Sequence, residues 1–316
     1  MLMKEEIESK VCIGKDMNKR KYYLLYTFIF IIMILVVFCL FIFNNKSFVW
    51  ESDGLNQHYR ALLYYSQWLK SIVKTLLVDH QLVIPTYSFS IVYGSYAIGD
   101  PLNILAIFIP IKYMIYFYSI LILVRFYLSG LTFSLFCYYK KDKYNYNSIS
   151  MLIGSFVYAF CGYALYAGIR HPYFMNPMIY FPLVLLGEEK ILNKRSTLLF
   201  ILSVWLSAIS NFYFFYMIAI LTAMYVIWRL LTIYKKNYKN GLFMLGKITF
   251  YAFLGTCMAF VLLLPAILGL MNSARTDVSY IYNMFYTLSS YKSMLVYFYQ
   301  LELVMIGHVW DMVLLH

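Results

Sequence analysis

The chain has 316 residues, of which 63% are hydrophobic, 21% aromatic and 13% charged, about half the charge of an ordinary soluble domain. That composition does not fit a soluble globular fold and marks a membrane protein. A net charge of +12 would suggest nucleic acid in a soluble chain, but in a membrane chain it asks which side of the bilayer the bases occupy. No nucleic-acid partner is expected. The five cysteines (Cys12, Cys39, Cys137, Cys161, Cys257) stand far apart, four of them in apolar segments, so neither a disulfide framework nor a C-x-x-C pair is available. The G-x-x-x-x-G-K-[ST], H-E-x-x-H and G-x-G-x-x-G patterns do not occur, which removes support for nucleotide hydrolysis, zinc-protease chemistry and a Rossmann cofactor.

Residues 1–21 set six bases against four acids, and the bases crowd against the apolar run Tyr22 to Phe43. That run is long enough for a hydrocarbon core of about 30 Å. Phe43-Asn44-Asn45-Lys46 offers no small-residue cleavage site, so the run is an uncleaved first span with a cytoplasmic N-terminus. Further spans follow at Tyr113–Tyr138, Ile149–Gly168 and about Phe174–Gly187. Basic turns at Lys140–Lys143 and Glu188–Arg195 are expected in the cytoplasm, and the short Arg170-His171-Pro172 loop outside. Thr197–Ile233 lies between two basic flanks, so it crosses twice or enters and leaves, with its break at Ser210-Asn211. Its first arm, Thr197–Ile209, rises only about 20 Å as a helix, and the break suggests a wet cavity open to one face. A last span, Lys247–Met271, carries Pro265 as a kink. The expectation is an all-α polytopic protein of about seven spans over residues 22–271, with segment 272–316 outside. The excess of bases on the cytoplasmic side is the positive-inside pattern.

The first outer loop, 44–112, is far longer than a connector requires. From Gly54 to Leu77 apolar residues recur at three and four while Arg60, Gln67, Lys70 and Lys74 take the other face, the pattern of an amphipathic interfacial helix with its bases toward lipid phosphates. Immediately before it stands Glu51-Ser52-Asp53-Gly54. Two readings stand level: Ser52 or Asp53 is merely the helix cap, or the carboxylate of Asp53 is a general base at the membrane surface, with Gln57, His58 and Arg60 one or two turns away. Asp100-Pro101 reads first as a helix start. Arg125 falls near the middle of the second span, where a charge is costly and faces a wet cavity or a structural ion pair. Arg170, His171 and Arg275 sit at the outer face, where they could hold an anionic headgroup.

The order Phe48-Val49-Trp50-Glu51-Ser52-Asp53-Gly54-Leu55-Asn56-Gln57-His58-Tyr59, Ile84-Pro85, Tyr93-Gly94, Gly99-Asp100-Pro101-Leu102-Asn103, Arg125-Phe126-Tyr127-Leu128-Ser129-Gly130-Leu131, His171-Pro172 and Ser210-Asn211-Phe212-Tyr213-Phe214-Phe215-Tyr216 resembles the YfhO family of bacterial membrane proteins. The resemblance runs from about residue 20 to about 295. It implies a glycosyltransferase of the GT-C type in the cell membrane, with its active face extracellular. Such an enzyme takes a sugar from a polyprenyl-phosphate carrier and passes it to a teichoic-acid-type acceptor. It implies Asp53 as the catalytic base; beside it, the residues already read from the sequence, Gln57, His58, Arg60, Asp100, Arg125, Arg170, His171 and Arg275, are the substrate-binding candidates. Whether a divalent metal takes part is left open, with Asp53 and Asp100 its candidate ligands. Members of the family are much longer, so the chain reads as the front part of an enzyme, its last residues arising from a shifted reading frame and its activity as a fragment in question. A transporter or lipid flippase is the rival reading, since broken helices and an intramembrane arginine suit it too.

Overall fold

The computed structural model describes residues 17–80, 97–235, 237–271, 287–293 and 296. Arg275 and the Ile84-Pro85 and Tyr93-Gly94 motifs lie outside these residues. Every regular element among them is helical: α1 (Lys19–Val37), α2 (Cys39–Phe43), a π turn (Gly54–Tyr59) leading into α3 (Arg60–Leu77), a 3-10 turn (Pro101–Phe108), α4 (Met114–Tyr144), α5 (Ser148–Ala159), α6 (Gly162–Arg170), a 3-10 turn (Pro172–Met175), α7 (Asn176–Leu192), α8 (Leu198–Ser210), α9 (Phe212–Ile233), α10 (Tyr238–Met258) and α11 (Phe260–Met271). The apolar runs make the helices, and asparagines punctuate them. The side chains of Asn18, Asn147 and Asn211 accept backbone N–H bonds at the starts of α1, α5 and α9, as N-caps do. Asn145, left-handed with φ 51°, stops α4.

Among the described residues four helical segments are long and apolar enough to span a bilayer: Lys19–Val37, Ile111–Tyr144, Phe212–Ile233 and Tyr238–Met258. A fifth is added if α5 and α6, bent by 43° at their break, count as one. The remaining apolar helices are shorter, and α8, with 13 residues, has the expected short arm. The last apolar stretch breaks at Ala259, ahead of Pro265, which α11 holds within its length.

Among the described residues two large apolar clusters hold most of the helices together. One joins Phe30 of α1, Phe38 between α1 and α2, Phe48 of the loop, Leu62 of α3, and Ile122 and Phe126 of α4. The other joins Val184 of α7, Phe200 and Val204 of α8, Val226 of α9 and Ile248 of α10. In the second, Gly187 lets α7 and α8 close up: a Cβ there would stand 2.6 Å from the backbone N and Cα of Phe200. Pro182 lies inside α7 and cannot donate to the carbonyl of Met178, which leaves that oxygen free. The Tyr158 hydroxyl of α5 donates to it at 3.0 Å, so the defect fastens two helices.

Three expectations change. First, Lys140, Lys141, Glu188 and Glu189 do not form exposed turns. Helices α4 and α7 run on through them and all four are buried. Arg229 of α9 is buried with them. Glu189 Oε1 accepts from Lys140 Nζ at 2.8 Å and from the Tyr225 hydroxyl at 2.6 Å, and the Arg229 guanidinium spans both carboxylate oxygens. Opposite charges on three helices satisfy one another, so the helices continue where charge alone suggested turns. Glu188 lies fully buried with no hydrogen bond to either oxygen.

Second, the break at Ser210-Asn211 needs no wet cavity. Both residues are buried; Asn211 caps α9, and Ser210 Oγ accepts from Asn176 Nδ2 at 2.8 Å. Third, α3 does not aim all its bases at lipid. It buries Ala61, Leu62 and Tyr65 and packs on the 101–108 turn, where Ser66 Oγ donates to the Ala106 carbonyl at 2.9 Å and Lys70 Nζ to that of Ile109.

Candidate functional site

The loop end of the bundle gathers most of the polar residues singled out in the sequence. Asp53 opens the π turn, yet its side chain makes no capping bond. Instead Oδ1 accepts from Gln57 Nε2 at 2.8 Å, and Oδ2 faces His171 Nε2 at 3.9 Å. Of the two readings of Asp53, the side chain does not follow the cap. The carboxylate is 40% exposed, so it is held from behind and open in front.

Behind it the chain of contacts runs inward. His171 ends α6, with Nδ1 at 3.0 Å from Nε2 of the buried His58. The His171 ring stacks on Phe174 and meets Trp50 edge-on, while His58 meets Tyr173 edge-on. Burial first, then the neighbouring His171 and Arg125, pulls the pKa of His58 from 6.5 down to about 3, so this ring is neutral at physiological pH. Burial also lowers His171, with Asp53 opposing and Arg170 adding to the effect.

Deeper still, Tyr173 carries the Arg125 guanidinium 5.0 Å above its ring centre. Its hydroxyl accepts from Asn103 Nδ2 at 3.2 Å. Arg125 and Asp100 form an ion pair with 2% and 0% of their side chains exposed. Arg125 Nε donates to Asn176 Oδ1 and Nη1 to the Leu121 carbonyl, each at 3.1 Å. Asp100 Oδ1 accepts from Leu102 N at 2.9 Å, which makes it the cap of the 101–108 turn as the sequence suggested, and Oδ2 accepts from Asn176 Nδ2 at 3.0 Å. Asn176 therefore bridges acid and base and reaches Ser210 as well.

These contacts sort the candidates. Asp100 and Arg125 satisfy each other out of reach of solvent, so they hold the site rather than meet a ligand in this conformation. Asp100 does not fit a metal ligand, because a guanidinium and two N–H groups occupy its oxygens. Among the described residues no group of three or more His, Cys, Asp or Glu side chains is placed to bind a metal. Arg60 is exposed at the start of α3. Arg170 lies over the rings of Tyr166 (4.3 Å) and Trp50 (5.1 Å), a cation–π clasp that holds it beside the Asp53 loop. Next to it a cavity of about 220 Å³ is lined by Lys46, Ser47, Trp50, Glu51 and Ile169 among others. Asn103 closes the Gly99-Asp100-Pro101-Leu102-Asn103 motif without having been given a role, and Tyr173 and Asn176, just past His171-Pro172, were not singled out from sequence.

A helical bundle that crosses the membrane several times, with a half-exposed carboxylate backed by a histidine pair and a buried ion pair at its loop end, defines a polytopic membrane protein with a polar site at one end. The chain belongs to the YfhO family: the model described as "Bacterial membrane protein YfhO" matches residues 26–302. The "Uncharacterized protein YfhO" of Bacillus subtilis (strain 168) is 28% identical over 107 residues, which cover 34% of this chain and 12% of that protein. The match thus spans about an eighth of the length of that curated relative. No solved structure matches the chain.

Proposed function

We propose that the chain is a membrane glycosyltransferase, or the front part of one, that moves a sugar from a polyprenyl-phosphate carrier to a teichoic-acid-type polymer. In this reading the N-terminus is cytoplasmic and the loop end faces outward. The observation that carries it is Asp53, a carboxylate set just past the first apolar helix, held by Gln57, facing His171 and open to an incoming hydroxyl. Asp53 takes the acceptor proton as that oxygen attacks the anomeric carbon, and the bond from that carbon to the carrier phosphate breaks. Arg170 and Lys46, beside the small cavity, supply positive charge for the departing phosphate. A sugar already activated on lipid explains why no nucleotide-binding pattern is needed. Arg125 does not favour the rival transporter reading, because Asp100, Asn176 and Tyr173 enclose it.

The test is direct. The purified chain in lipid vesicles is given a polyprenyl-phosphate radiolabelled sugar and a short polyglycerol-phosphate acceptor. Label moving to the polymer supports the reading, and label remaining wholly on lipid opposes it.

A further inference from the structure

His58 is 2% exposed, and its Nε2 stands 3.0 Å from Nδ1 of His171. Two ring nitrogens 3.0 Å apart form one hydrogen bond, so a single proton lies between them. The direction of that hydrogen bond decides what His171 presents on its far side. If His171 Nδ1 carried the proton, Nε2 would turn a lone pair toward the Asp53 carboxylate at 3.9 Å, a repulsive arrangement. If His58 Nε2 carries it, His171 keeps its own proton on Nε2 and points an N–H at Oδ2.

We propose that His58 is a positioning residue whose Nε2–H donates to His171 Nδ1 and thereby fixes the His171 proton on Nε2, facing Asp53. As a functional statement this rests on the reading of Asp53 as the base. The second ring sets the tautomer of the first, the role that outer partners of functional histidines commonly take. The carboxylate is then gripped on both oxygens, Oδ1 by Gln57 and Oδ2 by the His171 N–H once the 3.9 Å gap closes, as such contacts do when a substrate binds. Trp50, Phe174 and Tyr173 pack the two rings at centroid distances of 5.7, 4.8 and 5.4 Å, which restrains their planes. Neither histidine needs to touch the sugar for this to matter.

The test reads tautomers and does not depend on activity. The full chain, labelled with nitrogen-15 histidine and held in lipid nanodiscs, is studied by NMR at neutral pH. It has five histidines, and the loss of one ring in a His171→Asn sample identifies His171. The expected spectrum has a bare Nδ1 and a protonated Nε2 on His171. His58→Gln, whose amide nitrogen retains a donor, keeps that pattern, whereas His58→Phe removes the donor and gives a mixture of both tautomers. A proton on His171 Nδ1 in the unaltered chain overturns the proposal, as does a pattern unmoved by His58→Phe. A chain that transfers no sugar but shows the expected tautomers leaves the pairing standing and removes only the reading of Asp53.

Discussion

Replacing Asp100 with asparagine removes the charge facing Arg125 while keeping the size of the side chain. Arg125 retains Asn176 Oδ1 and the Leu121 carbonyl, but an uncompensated guanidinium then lies 2% exposed inside the bundle. Removing one partner of a buried pair costs about 3–5 kcal/mol, and an arginine at the centre of a spanning helix costs about 2.5–3.5 kcal/mol on insertion scales. The two estimates meet near 3 kcal/mol, the loss expected for Asp100→Asn. The double variant Asp100→Leu with Arg125→Met removes both charges and recovers most of that loss, because buried pairs contribute little over apolar replacements of similar volume. Equilibrium unfolding in mixed micelles of the unaltered chain, Asp100→Leu, Arg125→Met and the double variant measures the coupling, with Asp100→Asn followed in the same assay. If Asp100→Asn loses less than about 1 kcal/mol, or the double variant is no better than the single one, then the pair does not hold the site as described.

The two adjacent glutamates at the other end of α7 should behave oppositely. Glu189→Gln strands Lys140 and Arg229 and should cost about 3 kcal/mol, whereas Glu188→Leu, which removes an unpartnered buried carboxyl, should be neutral or stabilising; unfolding midpoints of the two variants compare them. Gly187→Ala forces a Cβ against the Phe200 backbone and should destabilise by about 1–3 kcal/mol, seen in the same assay. Acid should also weaken the fold through His58. Its pKa falls from 6.5 to about 3 on folding, so the unfolded chain binds the proton first; the stability is complete above 6.5 and drains away as pH falls toward 3. Going from about pH 7 to about pH 5 should cost about 2 kcal/mol, and His58→Gln should flatten that slope in unfolding curves taken across the range.

The all-α membrane class was legible in the sequence, because apolar runs of spanning length in a chain so poor in charge belong in a bilayer. The break at Ser210-Asn211 was legible too, since asparagine is a strong cap, and Asp53, His58 and His171, all named from the sequence, lie together at the loop end. Pairing between distant segments was not. Glu189 and Lys140 looked like turn residues because a charge beside an apolar run marks a membrane edge unless a partner helix supplies the opposite charge. In the same way, Arg125 presented a choice between pathway and ion pair that only the position of Asp100, 25 residues away, could decide. Asn176 and Tyr173 passed unnoticed because a lone neutral polar residue carries no periodic or charge signal.

Asp53 is proposed as the base of sugar transfer at the outer face. The most direct measurement expresses the chain, and separately its Asp53→Asn variant, in a bacterium lacking its own enzyme of this kind, and determines sugar on purified teichoic acid. The account predicts sugar with the unaltered chain and a rate about 100- to 10,000-fold lower with asparagine, the range for loss of a general base. Equal sugar from both chains, or none from either, contradicts it.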